Sequence, residues 1–423
     1  MRRRTALERG ARALLGGGLL AAGSGCRPPE WGRPVGAAEV YVGLGRAREV
    51  AILDAVTDTV RRRVSLAPLG ERGLPWRLGV GPAGNAAMVP LVGNEPRVGL
   101  IAPAPSAEGR GGGVRWRQTG SGRAGGDGSQ ECAWLRVGTG RPPPARAGAW
   151  IAPEAPQTLT ADARGQAYVL LADAAGREPS HAAVVDLRRG TVLRHLPLSP
   201  AGESVLALLA LPDGDRLIAA VWRWASTGAG GSRPAAGRLV LLDARTGAIR
   251  ARSGLPDDAA VTDLALAAPP PGAAGAGGLA IYAVVGTPGP ALDEDDWWAP
   301  TTQFELAALD QTTLDVLAVW PLERRPQALA VAPDGSRAYL LVGLPGGWGW
   351  SQRVVVLDLV GGGARRVWPL PSGGFGLALS AAGKLYVADA FGDRLWRVDT
   401  RTDTFLGSIP LAGAPIAIAA RPA

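Results

Sequence analysis

Residues 374–411 read GFGLALSAAGKLYVADAFGDRLWRVDTRTDTFLGSIPL. The stretch divides into FGLALS, a strand; AAG, a turn; KLYVAD, a strand; AFGD, a loop; RLWRVD, a third strand; TRTD, a turn; and TFLGSIPL, a fourth strand. Four antiparallel strands in about 40 residues make one propeller blade. The third strand ends in Val-Asp, and that ending recurs: AILD to Asp54, AVVD to Asp186, VLLD to Asp243, AALD to Asp310, VVLD to Asp358 and WRVD to Asp399, with a degenerate copy, GLIA, ending at Ala102. A supersecondary unit copied this often decides the fold class. The chain is all-β, a single β-propeller.

The recurring Asp has a physical task. Its carboxylate accepts backbone N–H groups two residues on and fixes the turn to the fourth strand. Thr or Gly follows it, as in Thr57, Gly190, Thr246-Gly247 and Thr312. A second turn signature, Pro212-Asp213-Gly214 and Pro333-Asp334-Gly335, joins the first and second strands. Composition agrees: Gly 61 and Pro 36 punctuate short Val/Leu/Ala runs.

The two ends complete one another. Residues 39–67 supply second, third and fourth strands, and PIAIAA at 415–420 is an orphan inner strand. Paired, they make one blade and close the ring, which removes the exposed edges that a sheet must otherwise protect. The other blades fall at 71–121, 122–198, 199–258, 259–325, 326–373 and 374–413, giving seven. Residues 122–155 are the doubtful interval, an insertion or a degraded eighth blade. The propeller domain spans 39–423.

These motifs resemble the YVTN-type β-propeller repeat family, most closely in KLYVADAFGDRLWRVDTRTDTFLGSIPL, then in EVYVGLGRAREVAILDAVTDTVRRRVSLA (39–67) and PQALAVAPDGSRAYLLV (326–342). The resemblance implies the fold and leaves chemistry open. Relatives of the fold include dehydrogenase subunits and lactonases, so an enzyme with a site at the channel mouth is the alternative to a binding module.

Residues 1–26 read as an export segment: Arg2, Arg3, Arg4, Arg9 and Arg12, then the short apolar run ALLGGGLLAAGSG, then Cys26. The segment resembles a bacterial lipoprotein signal, which implies lipidation of Cys26 and a membrane anchor at the cell envelope; Gly23 departs from that pattern. Arg3-Arg4 also admits twin-arginine export. Residues 27–38 form a linker. Removing residues 1–25 takes away five Arg and one Glu and halves the net charge of +8. No basic block remains in the body, so a nucleic-acid partner is not expected. If Cys26 is acylated, Cys132 has no partner; if not, the two can form a disulfide.

Functional candidates lie where the loops depart from the repeat. Trp222 and Trp224 precede ASTGAGGSRPAAG, Trp297 and Trp298 sit in GTPGPALDEDDWWAPTTQ, and Trp348 and Trp350 in GLPGGWGWSQ. Trp222 and Trp224 end a second strand and the other four sit in loops between second and third strands; these loops open on one face, where the six are expected to cluster, and Trp76 and Phe375 extend the set toward the channel. Exposed Trp offers a flat apolar surface and one N–H donor, suited to a glycan or protein partner; the alternative is that these rings cap neighbouring blades. Asp293, Glu294, Asp295 and Asp296 form a solvated acidic loop or a site for Ca²⁺ or a basic partner. No other cofactor is implied. His181 in a loop and His195 in a fourth strand are not a catalytic pair, and no metal-ligand spacing occurs. Asp263 and Arg77 are the inner-strand polar residues that can face the channel.

Overall fold

The computed structural model describes residues 38–67, 75–80, 86–90, 97–101, 132–137, 156–171, 179–226, 232–256, 259–273, 278–287, 303–343 and 351–420. They form seven four-stranded antiparallel sheets. The inner strands are Pro75–Val80, Pro156–Ala161, Glu203–Ala210, Ala260–Ala267, Pro326–Val331, Gly376–Leu379 and Pro415–Ala420. Each touches the next, and the last touches the first, so the ring is closed. We number the blades one to seven in that order.

Closure occurs within blade seven. Its inner strand comes from the C-terminal end and pairs antiparallel with Glu39–Leu44, with Ala420 opposite Val40 and Ala417 opposite Gly43. Strands Glu49–Asp54 and Thr59–Ser65 complete the sheet.

The core is not one body but seven wedges, one between each pair of neighbouring blades. This explains the sequence pattern of the strands. Second strands such as Gln166–Leu171 and Lys384–Asp389 are apolar on both faces because each face meets a neighbouring blade. Outer strands such as Thr59–Ser65 alternate with solvent. All five tyrosines, Tyr41, Tyr168, Tyr282, Tyr339 and Tyr386, lie on second strands and are fully buried in these wedges. Burying each aromatic stabilises the fold by about 2–3 kcal/mol.

The structure moves one boundary. Cys132–Arg136 is the outer strand of blade one, paired Ile101 to Cys132 and Arg97 to Arg136. Blade one therefore extends past 121, and part of the 122–155 interval belongs to it; no eighth blade occurs among the described residues. The pairing tolerates the long intervening segment because closure entropy grows only with the logarithm of loop length. His181 is likewise the first residue of strand His181–Asp186 rather than a loop residue. Residues 1–37, with Cys26 and the linker, lie outside the described residues.

Candidate functional site: the loop face and the axial mouth

The two faces of the ring differ. On one, turns from third to fourth strands repeat a single design. Asp54 Oδ1 accepts from Val56 N (2.7 Å) and Thr57 N (3.2 Å). Asp243 accepts from Arg245 and Thr246 (both 2.9 Å), and Asp310 from Thr312 (2.7 Å) and Thr313 (2.9 Å). Asp186, Asp358 and Asp399 do the same. These six carboxylates are engaged in fixing the fold; in blade one the strands ending at Ile101 and starting at Cys132 are joined by a far longer segment, which lies outside the described residues.

The opposite face carries loops between second and third strands and is uneven. In blade six the flanking strands are six residues each, Lys384–Asp389 and Arg394–Asp399. In blade three they lengthen to 11 and 12 residues, Arg216–Ser226 and Ser232–Asp243, a hairpin projecting beyond the ring. Phe375, half-buried, packs at 5.7 Å against the exposed Phe391 in the loop of blade six. Arg46 reaches Asp393 (3.4 Å) beside them.

Trp222 corrects the sequence reading. It is 1% exposed, opposite Ser204 and Gly237 in its sheet, and belongs to the interior at the base of the hairpin. Strand alternation carries it inward, so it is no part of a stacking surface. Trp224 lies two residues on, past a register shift, and Trp76 lies in the inner strand of blade one; their side chains lie outside the described residues. Trp297, Trp298, Trp348, Trp350, Asp293, Glu294, Asp295 and Asp296 also lie outside them. Among the described residues no group of His, Cys, Asp and Glu is arranged to hold a metal ion. His195 Nε2 lies 2.7 Å from the Val137 carbonyl, joining blades two and one.

At the axis, Asp263 sits in the inner strand of blade four. Its Oδ1 accepts from Leu264 N and its Oδ2 from Leu329 N of blade five, both at 2.9 Å. Burial pushes its carboxyl up to about 6, although those N–H bonds and the positive charges of Arg77 and Arg325 pull the other way. Burial lowers the Arg325 guanidinium in turn, opposed by Asp263. Asp263 and Arg77 stand in inner strands, where the sequence put them. Arg325 was not singled out; its signal was a charged pair, Arg324-Arg325, in the turn just before an inner strand.

No family model matches this chain, and no curated protein matches it. Solved structures do. Hydrazine synthase of Kuenenia stuttgartiensis is similar at 15% identity, covering 89% of this chain and 93% of that one, with a TM-score of 0.54. AztD of Citrobacter koseri has 13% identity over 90% and 97% of the two chains, with a TM-score of 0.47. The propeller domain of Myceliophteria thermophila Swd1 has 15% identity over 82% and 90%, with a TM-score of 0.48. At these identities the likeness shows the fold alone.

Proposed function

We propose that this chain is an exported, lipid-anchored propeller of YVTN type that binds a protein or glycan at the cell envelope through its uneven loop face. The observation that carries this reading is the asymmetry between the faces. On one, six of the seven blades share a single turn built on an Asp carboxylate. The other lengthens its strands in blade three and sets an aromatic pair in blade six. In repeat architectures, departures on one face mark binding. With Trp222 withdrawn, the proposed contacts are Trp224, Trp297, Trp298, Trp348 and Trp350, with Trp76 and Phe375 toward the axis, and Cys26 as the anchor.

A capture experiment from native envelopes tests this. Trp297→Ala/Trp298→Ala/Trp350→Ala should lose the wild-type partner while melting at the same temperature. An unchanged set of partners overturns the assignment. Cys26→Ala should abolish incorporation of labelled fatty acid.

A second reading, an enzyme or enzyme subunit with chemistry at the axial mouth, is favoured by one observation: the Asp263 carboxyl, which accepts from Leu264 N and Leu329 N, is raised by burial to about 6, the range in which a carboxyl acts as an acid or base near neutrality. Against it, both Asp263 oxygens already hold backbone N–H groups.

A further inference from the structure

The turn after each third strand meets the preceding blade, and the way that seam is closed can be compared around the ring at the fourth residue after the turn Asp. Between blades six and seven, Asp58 takes Lys384 Nζ and Arg397 Nη1, both at 2.7 Å. Between blades five and six, Asp403 takes Arg337 Nη1 (3.0 Å) and Arg365 Nε (3.2 Å). Between blades three and four, Leu314 is fully buried in the wedge. Between blades two and three, the Pro197 carbonyl closes over Gly247, 2.5 Å from where a Cβ would stand.

The seam between blades four and five has none of these closures. Gly362 holds the turn position, and a Cβ there would meet only Trp320 Cδ1, at 4.0 Å. Ala280, opposite Asp310, stands where Arg337 and Lys384 stand opposite Asp358 and Asp399. The aromatic floor is kept: Tyr282 stacks on Trp320 at 6.4 Å, as Tyr339 stacks on Trp368 at 6.5 Å in the next seam. With the floor kept and the closing side chains gone, the seam holds a hollow of about 290 Å³, lined by Trp320, Pro321, Leu357, Val360 and the glycines at 361–363.

The chemistry of the hollow selects its occupant. Every lining residue is uncharged, so an ion would find nothing there to offset its lost hydration. One water's share of volume is about 30 Å³ and ligand pockets begin near about 300 Å³, so the space suits a single ring and is too small for a cofactor. Trp320, 6% exposed, presents its pyrrole edge: Nε1 is bonded to the Cδ1 atom that faces Gly362, and it makes no hydrogen bond among the described residues. That edge is the positive part of the ring system and favours the face of another aromatic. One seam away the equivalent place is filled by a polypeptide side chain, Leu314. Val360, 62% exposed, stands at the mouth, and Val367, 46% exposed, continues along blade five, giving apolar ground to a chain that carries the ring.

We propose that the hollow between blades four and five receives one uncharged aromatic side chain of a partner protein, its ring face on the Trp320 edge and its backbone over Val360. The contact is independent of the loop-face reading, because the turn belongs to the opposite side of the ring.

Fluorine NMR of the full chain labelled with 5-fluorotryptophan tests this; the Trp320 signal is the one missing from Trp320→Phe. Acetyl-Val-Phe-Val-amide should shift that signal with half-saturation at about 1–10 mM, and acetyl-Val-Ser-Val-amide should not. p-Cresol, a free ring without flanking chain, should bind about fivefold more weakly than the Phe peptide. Gly362→Leu copies blade four, where Leu314 holds the same left-handed turn (φ 62° against 68°). It fills the hollow and should weaken the Phe peptide about tenfold. If that variant fails to fold, Gly362→Asp, copied from Asp58 and Asp403, obstructs the same space. A Trp320 signal that the Phe peptide leaves in place at about 20 mM, or a folded Gly362 variant that binds it as well as wild type, overturns the site. p-Cresol binding as tightly as the peptide overturns a polypeptide as the occupant.

Discussion

A single Asp in each of six blades does most of the local work, and its environment fixes how the protein responds to acid. At Asp54 burial raises the carboxyl, but the N–H groups of Thr57 and Val56 and the pairing with Arg61 outweigh it, and the net shift is downward. At Asp243 the bond from Arg250 leads the lowering, and at Asp310 and Asp358 backbone N–H groups lead it. A carboxylate lowered in the folded state stabilises it above the unfolded value near 4, and that stabilisation is lost as pH falls through the folded value. Asp263 has the opposite sign. Its carboxyl is raised to about 6, so its ionisation destabilises the folded state as pH climbs from about 4 to 6. The effect is at most about 3 kcal/mol before solvent in the bore is counted. Glu305, raised by burial, acts in the same direction. Urea unfolding across pH should therefore show stability decreasing below about pH 4 and also decreasing from about pH 4 to 6. In Asp263→Asn the second slope should shrink while the first stays. The lost Leu329 bond lowers the whole curve, so slope is the quantity to compare. An unchanged slope between about pH 4 and 6 would sink the account of Asp263.

The turn built on each Asp is the unit that tolerates least. The fourth residue after the Asp is left-handed in six blades: Asp58 (φ 58°), Gly190 (65°), Gly247 (75°), Leu314 (62°), Gly362 (68°) and Asp403 (52°). Gly247 shows why glycine suits the position, since a Cβ there would stand 2.5 Å from the Pro197 carbonyl. Where Asp replaces glycine it gains a second task. Asp58 accepts from Lys384 Nζ (2.7 Å), Arg397 Nη1 (2.7 Å) and the Tyr386 hydroxyl (2.6 Å), tying blade seven to blade six. Asp403 is matched by Arg337 Nη1 (3.0 Å) and Arg365 Nε (3.2 Å) of blade five. Asp58→Ala leaves two cations and a buried hydroxyl short of an acceptor and replaces a residue that tolerates the left-handed turn by one that tolerates it less, so it should cost about 3 kcal/mol. Asp58→Asn keeps the turn and one acceptor and should cost about half as much, read from urea midpoints. Equal losses would mean that the charge is irrelevant at this seam. The Asp ruler made the turns and blade order legible because they are local: the signal and the structure lie within five residues. What it missed is non-local. The tyrosine on every described second strand but those of blades one and three answers to a neighbouring blade, not to its own turn. Trp222, read as ending its strand on the loop face, is instead buried, because nothing in VWRWAS marks where the lengthened strand leaves the ring. The outer strand of blade one went unplaced because its partner, Arg97–Ile101, lies far back in the chain.

A ring with seven wedge-shaped cores has no element that can be lost without opening it. Every blade buries both faces, and the only place where the chain must meet itself from opposite ends is the pairing of Pro415–Ala420 with Glu39–Leu44. That seam also seats Tyr41 and Ala417 in the wedge between blades seven and one. Truncation before Pro415 removes a strand whose hydrogen bonds are each worth about 1 kcal/mol, and it also exposes the edge of Glu39–Leu44. The truncated chain should populate aggregates and lose its single cooperative transition. Loss of the strand and loss of chain continuity can be separated. The end of the C-terminal strand lies beside the start of the first, Ala420 opposite Val40, so a connection of a few residues can join them. A permutant that begins at residue 412, runs through that link into residue 38 and ends at Leu411 carries blade seven as one continuous segment. It should fold to the same far-ultraviolet spectrum and melt within a few degrees of the parent, because the wedges and registers are unchanged. A soluble, cooperative truncated chain, or a permutant that fails to fold while the parent does, would show that the seam is not what holds the ring shut.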